Sequence, residues 1–216
     1  MSVNKTKAGF LLTGLVSLML AGCVNPSASG LVIEDKRQGS SENISSLTEV
    51  IRNNPRDPDA YNVRGAAYGR AGRFSEALGD FNKAISLNSR FYQAYTNRGL
   101  LYTRLRDYNN AIKDYNRALS INPNYSEAYI GRGNVYRDAD KIKTAFADYN
   151  RAIEIGTTNP RAYHNRGLLL QRNRQHKLAI EDFSKAISLA DKRAQPYNGR
   201  GPVSYTHLTL PTTPYV

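Results

Sequence analysis

The sequence predicts an all-α solenoid of antiparallel helix pairs, and three observations carry that prediction. Tyr61, Tyr95, Tyr129, Tyr163 and Tyr197 recur at a constant step of 34 residues. Each is followed by the same dipeptide: Arg64-Gly65, Arg98-Gly99, Arg132-Gly133, Arg166-Gly167 and Arg200-Gly201. The following stretch repeats at the same step, with Ala77, Ala111, Ala145 and Ala179, then the aromatics Phe81, Tyr115, Tyr149 and Phe183, then Ala84, Ala118, Ala152 and Ala186. Large apolar residues at three- and four-residue spacing fill a helical seam, and small residues mark where two helices approach closely.

These residues resemble the tetratricopeptide repeat, a helix-turn-helix unit of 34 residues with an aromatic, Gly, Tyr, Ala, aromatic, Ala and Pro at these spacings. The resemblance implies a right-handed superhelical solenoid with repeats at residues 58–91, 92–125, 126–159 and 160–193, and the start of a fifth at 194–201. The family's terminal Pro is kept at Pro123 and replaced by Ser89, Thr157 and Asp191. Where the family usually has Leu before the Gly, every copy here has Arg.

Ahead of the repeats, Lys5 and Lys7 precede an apolar run from Ala8 to Leu20 that is too short to span a bilayer comfortably. Leu20-Ala21-Gly22-Cys23 resembles the bacterial lipobox, which implies a signal peptide over residues 1–22 and acylation of Cys23. Several acyl chains give stable anchoring, each buried methylene contributing about 0.8 kcal/mol. Val24 and Asn25 lack the Asp that favours inner-membrane retention, so the resemblance points to the outer membrane, facing the periplasm. Residues 23–41 read as a flexible tether rich in Ser and Gly. Residues 42–57 read as a half repeat that caps the array, with Ile44, Leu47, Val50 and Ile51 on one face and Pro55 closing the helix.

At the other end, Val203 to Thr212 resembles the translation of a transposon sequencing adapter. The repeat register agrees, because Ser204 stands where the fifth repeat should place its Tyr, and Tyr205 comes one residue late. Residues 202–216 are therefore expected to be a non-native tail.

A charged content of 22% and an apolar content of 40% fit an ordinary helical domain rather than a disordered chain. The net charge of +12 raises the question of nucleic acid, but the basic residues are scattered through the repeats and form no run. Nucleic acid is not expected as a partner. A single Cys excludes an intrachain disulfide framework.

No catalytic or metal site and no cofactor are predicted. His164 and His176 have no Cys, His or carboxylate at a spacing that metal ligation or a hydrolase triad would require. His176 takes the place of Phe74, Tyr108 and Ile142, which suggests packing, and His164 reads as a polar side chain on the groove. The repeated arginines have an equally repeated companion sixteen residues on, pairing Arg64 with Asp80, Arg98 with Asp114, Arg132 with Asp148 and Arg166 with Asp182 in register. A charge on a packed helix is costly unless paired, so Arg and Asp form a structural clasp, either within a repeat or back to the preceding one.

In the family, ligands bind the groove lined by the first helix of each repeat. Carried onto this sequence, the groove would present Asn62, Arg70, Thr96, Leu100, Arg104, Ile130, Asn134, Arg137, His164, Leu168 and Arg172. A Lys followed four residues later by Asn, which clamps peptide carboxylates in some members, is not evident at Asn62 and Ala66 or at Thr96 and Leu100. The expected function is a non-catalytic scaffold that binds other envelope proteins or peptides. The alternative is a peptidoglycan- or glycan-binding accessory to a cell-wall enzyme.

Overall fold

The computed structural model describes residues 41–194, and every regular element among them is a helix. α1 (Ser41–Asn53) stands first, followed by four pairs: α2 (Pro58–Arg70) with α3 (Phe74–Leu87), α4 (Tyr92–Arg104) with α5 (Tyr108–Ile121), α6 (Ser126–Asp138) with α7 (Ile142–Glu154), and α8 (Pro160–Arg172) with α9 (His176–Ala194). The expected signal peptide with Cys23, the tether, the fifth-repeat start and the tail lie outside the described residues, apart from Ser41 and Ala194 at their edges.

Each pair is folded back by the same left-handed residue. Gly72, Arg106, Asp140 and Arg174 stand at equivalent places with φ of 78°, 60°, 55° and 59°. At the first turn the amides of Arg73 and Gly72 reach back to the carbonyls of Tyr68 and Gly69, and the other three turns repeat this pattern. That double closure satisfies carbonyls the helix end would otherwise leave bare. Between the third and fourth pairs, Gly156 (φ 79°) ends α7 in the same way, with Thr157 donating to Ala152. Thus Gly156 supplies the stop where the family's terminal Pro is missing. Asp57 and Asn159 cap α2 and α8 through their side chains, each ahead of a Pro at the first helical position.

The seam of each pair closes on the glycine after the repeated Arg. A methyl group added at Gly65, Gly99, Gly133 or Gly167 would lie 2.9, 3.1, 2.7 or 2.8 Å from the ring of Phe81, Tyr115, Tyr149 or Phe183, respectively. Only Gly lets these helices come this close. Ala77, Ala111, Ala118 and Ala145 are fully buried in clusters with these rings, and Ala84 and Ala152 are fully buried in clusters with Ala94 and Ala162 of the next first helix. Pairs join through the next first helix: Leu101 of α4 packs with Phe81, and Leu169 of α8 packs with Tyr149.

α1 packs on α2 and buries Ile44 and Ile51. Val50 departs from the expected apolar face and is 48% exposed. It stands at the place of the fully buried Ala84 and Ala118, but α1 has no first helix of its own among the described residues to cover it.

Candidate protein-binding face

The repeated arginine is drawn into the seam by its position one residue before the close-contact glycine. Arg64 donates from Nε and Nη2 to the two carboxylate oxygens of Asp80 at 2.7 and 2.8 Å. Arg98 does the same to Asp114, Arg132 to Asp148 and Arg166 to Asp182. Of the two arrangements the spacing allows, the pairing is within the repeat.

The third guanidinium nitrogen runs the other way. Nη1 of Arg98, Arg132 and Arg166 donates to the side-chain carbonyl of Asn82, Asn116 and Asn150 in the preceding pair, at 2.6, 2.6 and 2.8 Å. Arg64 reaches Thr48 of α1 at 3.2 Å, and Thr48 holds the equivalent place in the half repeat. One side chain therefore closes its own helix pair and fastens it to the one before. The hydrogen bonds to Asp raise the arginine pKa values, with burial opposing. Tyr61, Tyr95 and Tyr129 stack against Arg64, Arg98 and Arg132 with 5.5–5.7 Å from guanidinium carbon to ring centre. Sequence reasoning missed the Asn82, Asn116 and Asn150 contacts, although their step of 34 was there to be read.

The first helices α2, α4, α6 and α8 lie side by side and form one continuous wall. Three residues expected on its surface are instead packed within it: Asn62, Thr96 and Ile130 are 6%, 7% and 4% exposed. Asn62 lies where adjacent first helices approach closely, and Ile130 lies against both α7 and α8. Asn97 Nδ2 donates to Asn62 Oδ1 at 2.8 Å, Thr96 Oγ1 donates to the Tyr92 carbonyl, and Ile130 packs with Ala152 and Ala162. A second amide cluster joins the third and fourth pairs, where Asn134 Oδ1 accepts from Asn165 Nδ2 and from the Tyr149 hydroxyl.

The accessible part of the wall is consequently shifted toward the C-terminal ends of the first helices. Arg70, Leu100, Asn134 and Arg137 are half-buried there, while Arg104, Leu168 and Arg172 are exposed; His164, half-buried, lies in the N-terminal half of α8. His164 lies against the Phe183 ring, with centres 5.6 Å apart. Burial, and then the charge of Arg137, lower its pKa. His176 opens α9 and is exposed, whereas Phe74, Tyr108 and Ile142 at the same place in the repeat are half-buried.

Arg104 Nη1 reaches back to the Gly69 carbonyl at the end of α2, and Arg172 reaches Asp140 at the end of α6. Between α2 and α4, Ala66, Gly69, Arg70, Phe81, Asn97, Leu100, Leu101 and Arg104 line a depression of about 20 Å³. That space takes a methyl-sized group, far below the several hundred Å³ of a cofactor or small-molecule pocket. Among the described residues no three His, Cys, Asp or Glu side chains are grouped to hold a metal ion.

Tetratricopeptide repeat models match residues 58–91, 92–125 and 160–193, and a TPR repeat model matches residues 133–173. The chain belongs to the tetratricopeptide repeat family. No curated protein matches it. Among solved structures, the crystal structure of MamA superposes with a TM-score of 0.58 at 24% identity, covering 76% of this chain and 98% of that one. MamA from Desulfovibrio magneticus RS-1, residue 41 to the end, gives 0.56 at 21% identity over 70% and 85%. A chain of the APC/C hetero-tetramer Cut9-Hcn1 gives 0.66 at 17% identity, covering 76% of this chain and 32% of that one. These likenesses establish the fold.

Proposed function

We propose that this chain is a non-catalytic scaffold of the bacterial cell envelope, anchored to a membrane through acylated Cys23 and presenting its first-helix wall to other envelope proteins or peptides. The observation that carries the binding role is the wall itself. Leu100, Arg104, Leu168 and Arg172 place apolar and cationic side chains along one accessible face, a composition suited to an extended or helical protein segment. The depression within that face is too small for a substrate to be enclosed. The lipobox residues Leu20 to Cys23 support the anchor, and Val24 and Asn25 support the outer membrane over the inner.

A glycan-binding role would draw on open aromatic faces. Tyr61, Tyr95 and Tyr129 each have a face taken by Arg64, Arg98 or Arg132, which favours the protein partner. Crosslinking intact envelopes before purification, run beside co-sedimentation with purified cell wall, separates the two roles. Specific protein adducts without sedimentation support the scaffold, whereas sedimentation without adducts overturns it.

A further inference from the structure

The second helices carry a column of cations that the first-helix wall does not use. Lys83, Arg117, Arg151 and Lys185 recur at the step of 34 on α3, α5, α7 and α9, and all four are exposed. Each stands three residues after a clasp aspartate, Asp80, Asp114, Asp148 or Asp182. The aspartate is buried and neutralised by its arginine, while the cation stays outside. Lys113, Lys143 and Lys177 are exposed on the same helices. The exposed acids there are Glu76, Glu154 and Glu181; Arg73 engages Glu76 at 2.8 Å, and Arg151 engages Glu154 at 3.3 Å. Among the described side chains this face therefore sets seven cations against three acids, and its field is positive along the whole array.

The geometry favours a broad anionic surface as the occupant. α3, α5, α7 and α9 pack on first helices and not on one another, so each offers its outer side separately. The Arg117 guanidinium carbon lies 5.9 Å from the centre of the Tyr95 ring, which steadies that cation at the surface. No Phe, Tyr or Trp is among the exposed residues of these helices, so the face lacks the stacking platforms that hold nucleobases. Leu178 is 48% exposed and stands seven residues before Lys185, on the same side of α9. An apolar side chain beside a lysine suits the boundary between lipid headgroups and acyl chains.

We propose that the second-helix face docks on the anionic phospholipid surface of a bilayer, with Lys83, Arg117, Arg151 and Lys185 on headgroup phosphates and Leu178 at the acyl boundary. This goes beyond the scaffold reading and takes from it the anchor at Cys23. A flexible tether over residues 23–41 would hold the array within about 20–25 Å of that anchor, close enough for the column to meet the headgroups. An array lying this way turns its first-helix wall away from the lipid and leaves it open to proteins.

The test is flotation of the full chain carrying Cys23→Ser, so that acylation plays no part, with vesicles of phosphatidylcholine alone or of phosphatidylcholine mixed with phosphatidylglycerol. Whatever the apolar N-terminal run contributes is common to all the variants compared. Binding to the anionic vesicles should exceed binding to the neutral ones by at least about ten-fold and should fall as salt is added. Lys83→Glu, Arg117→Glu and Lys185→Glu together should remove most of that excess, and the corresponding Gln substitutions should remove a smaller part, with helicity followed by circular dichroism in each. Arg56→Glu, Arg90→Glu and Arg161→Glu together make the same change in net charge at exposed positions off this face, and should alter the excess by less than about two-fold. Equal binding to the two kinds of vesicle overturns the proposal, and equal losses in the two triple variants overturn the location. Binding to duplex DNA without a preference for anionic vesicles overturns lipid as the occupant. Palmitate labelling of Cys23 in the unaltered chain judges the anchor separately, so its failure strikes the scaffold's membrane location and leaves the vesicle result standing.

Discussion

Arg98 holds both carboxylate oxygens of Asp114 at 2.7 Å, and its remaining nitrogen donates to Asn82 of the preceding repeat at 2.6 Å. A fork of this kind couples the local and the next-neighbour contact, which are the two terms that set the stability of a repeat array. Asp114→Ala leaves a largely buried guanidinium without its anion and should destabilise the chain by about 3–5 kcal/mol. Asn82→Ala removes only the link between repeats and should cost about 1 kcal/mol while broadening the thermal transition. Calorimetry of both variants checks this. A smaller loss for Asp114→Ala than for Asn82→Ala would contradict it.

Glycines of the array should divide by what surrounds them. A methyl group at Gly131 would lie 2.5 Å from two ring carbons of Tyr115, whereas one at Gly79 meets nothing within 4 Å. Gly131→Ala should therefore cost about 1–3 kcal/mol through overpacking. Gly79→Ala, inside α3, should stabilise by up to about 1 kcal/mol through helix propensity. Urea denaturation followed by circular dichroism resolves the two signs.

The inter-helix turns offer a gain in stability. Arg106 and Arg174 adopt φ of 60° and 59° where the first repeat uses Gly72. An L side chain in this region costs roughly 1–2 kcal/mol. Arg106→Gly should raise stability by about 1 kcal/mol, and Gly72→Ala should lower it by a similar amount. Melting curves that move in the opposite directions would show that the turns are not strained.

Most of the architecture was legible because a period of 34 overdetermines it: five aligned tyrosines and four aligned alanines cannot all be placed unless the helices pair. The Arg and Asp spacing likewise led to the clasp. The wall was less legible. Asn62, Thr96 and Ile130 match the frame of groove positions, yet all three are buried, and packing between repeats is a tertiary quantity that spacing within one repeat does not encode. Gly156 was not legible as a stop, because it acts through a left-handed φ and not through the Pro that marks this place in the family.

Alkaline pH should unfold the array from its tyrosines. Burial raises the pKa of Tyr115, Tyr125 and Tyr149 above the ordinary 10.0. A raised folded pKa means the unfolded state loses its proton first, so this contribution is intact below about pH 10 and is lost as pH rises through the folded values. Helicity at 222 nm and tyrosinate absorbance at 295 nm should then change together above about pH 10. Tyr115→Phe should shift the midpoint upward. Full tyrosinate formation with helicity unchanged would contradict burial.

The central claim is that the first-helix wall contacts a protein partner in the envelope. Its most direct measurement is site-specific photocrosslinking in intact cells. A crosslinking amino acid is placed at Arg104 or Leu168 on the wall, or at Lys83 or Lys143, which are exposed on the second helices. Discrete protein adducts are expected from Arg104 and Leu168, absent from Lys83 and Lys143, and reduced when Cys23→Ser removes the anchor. Adducts only from the second helices, or the same products from all four positions, would contradict it.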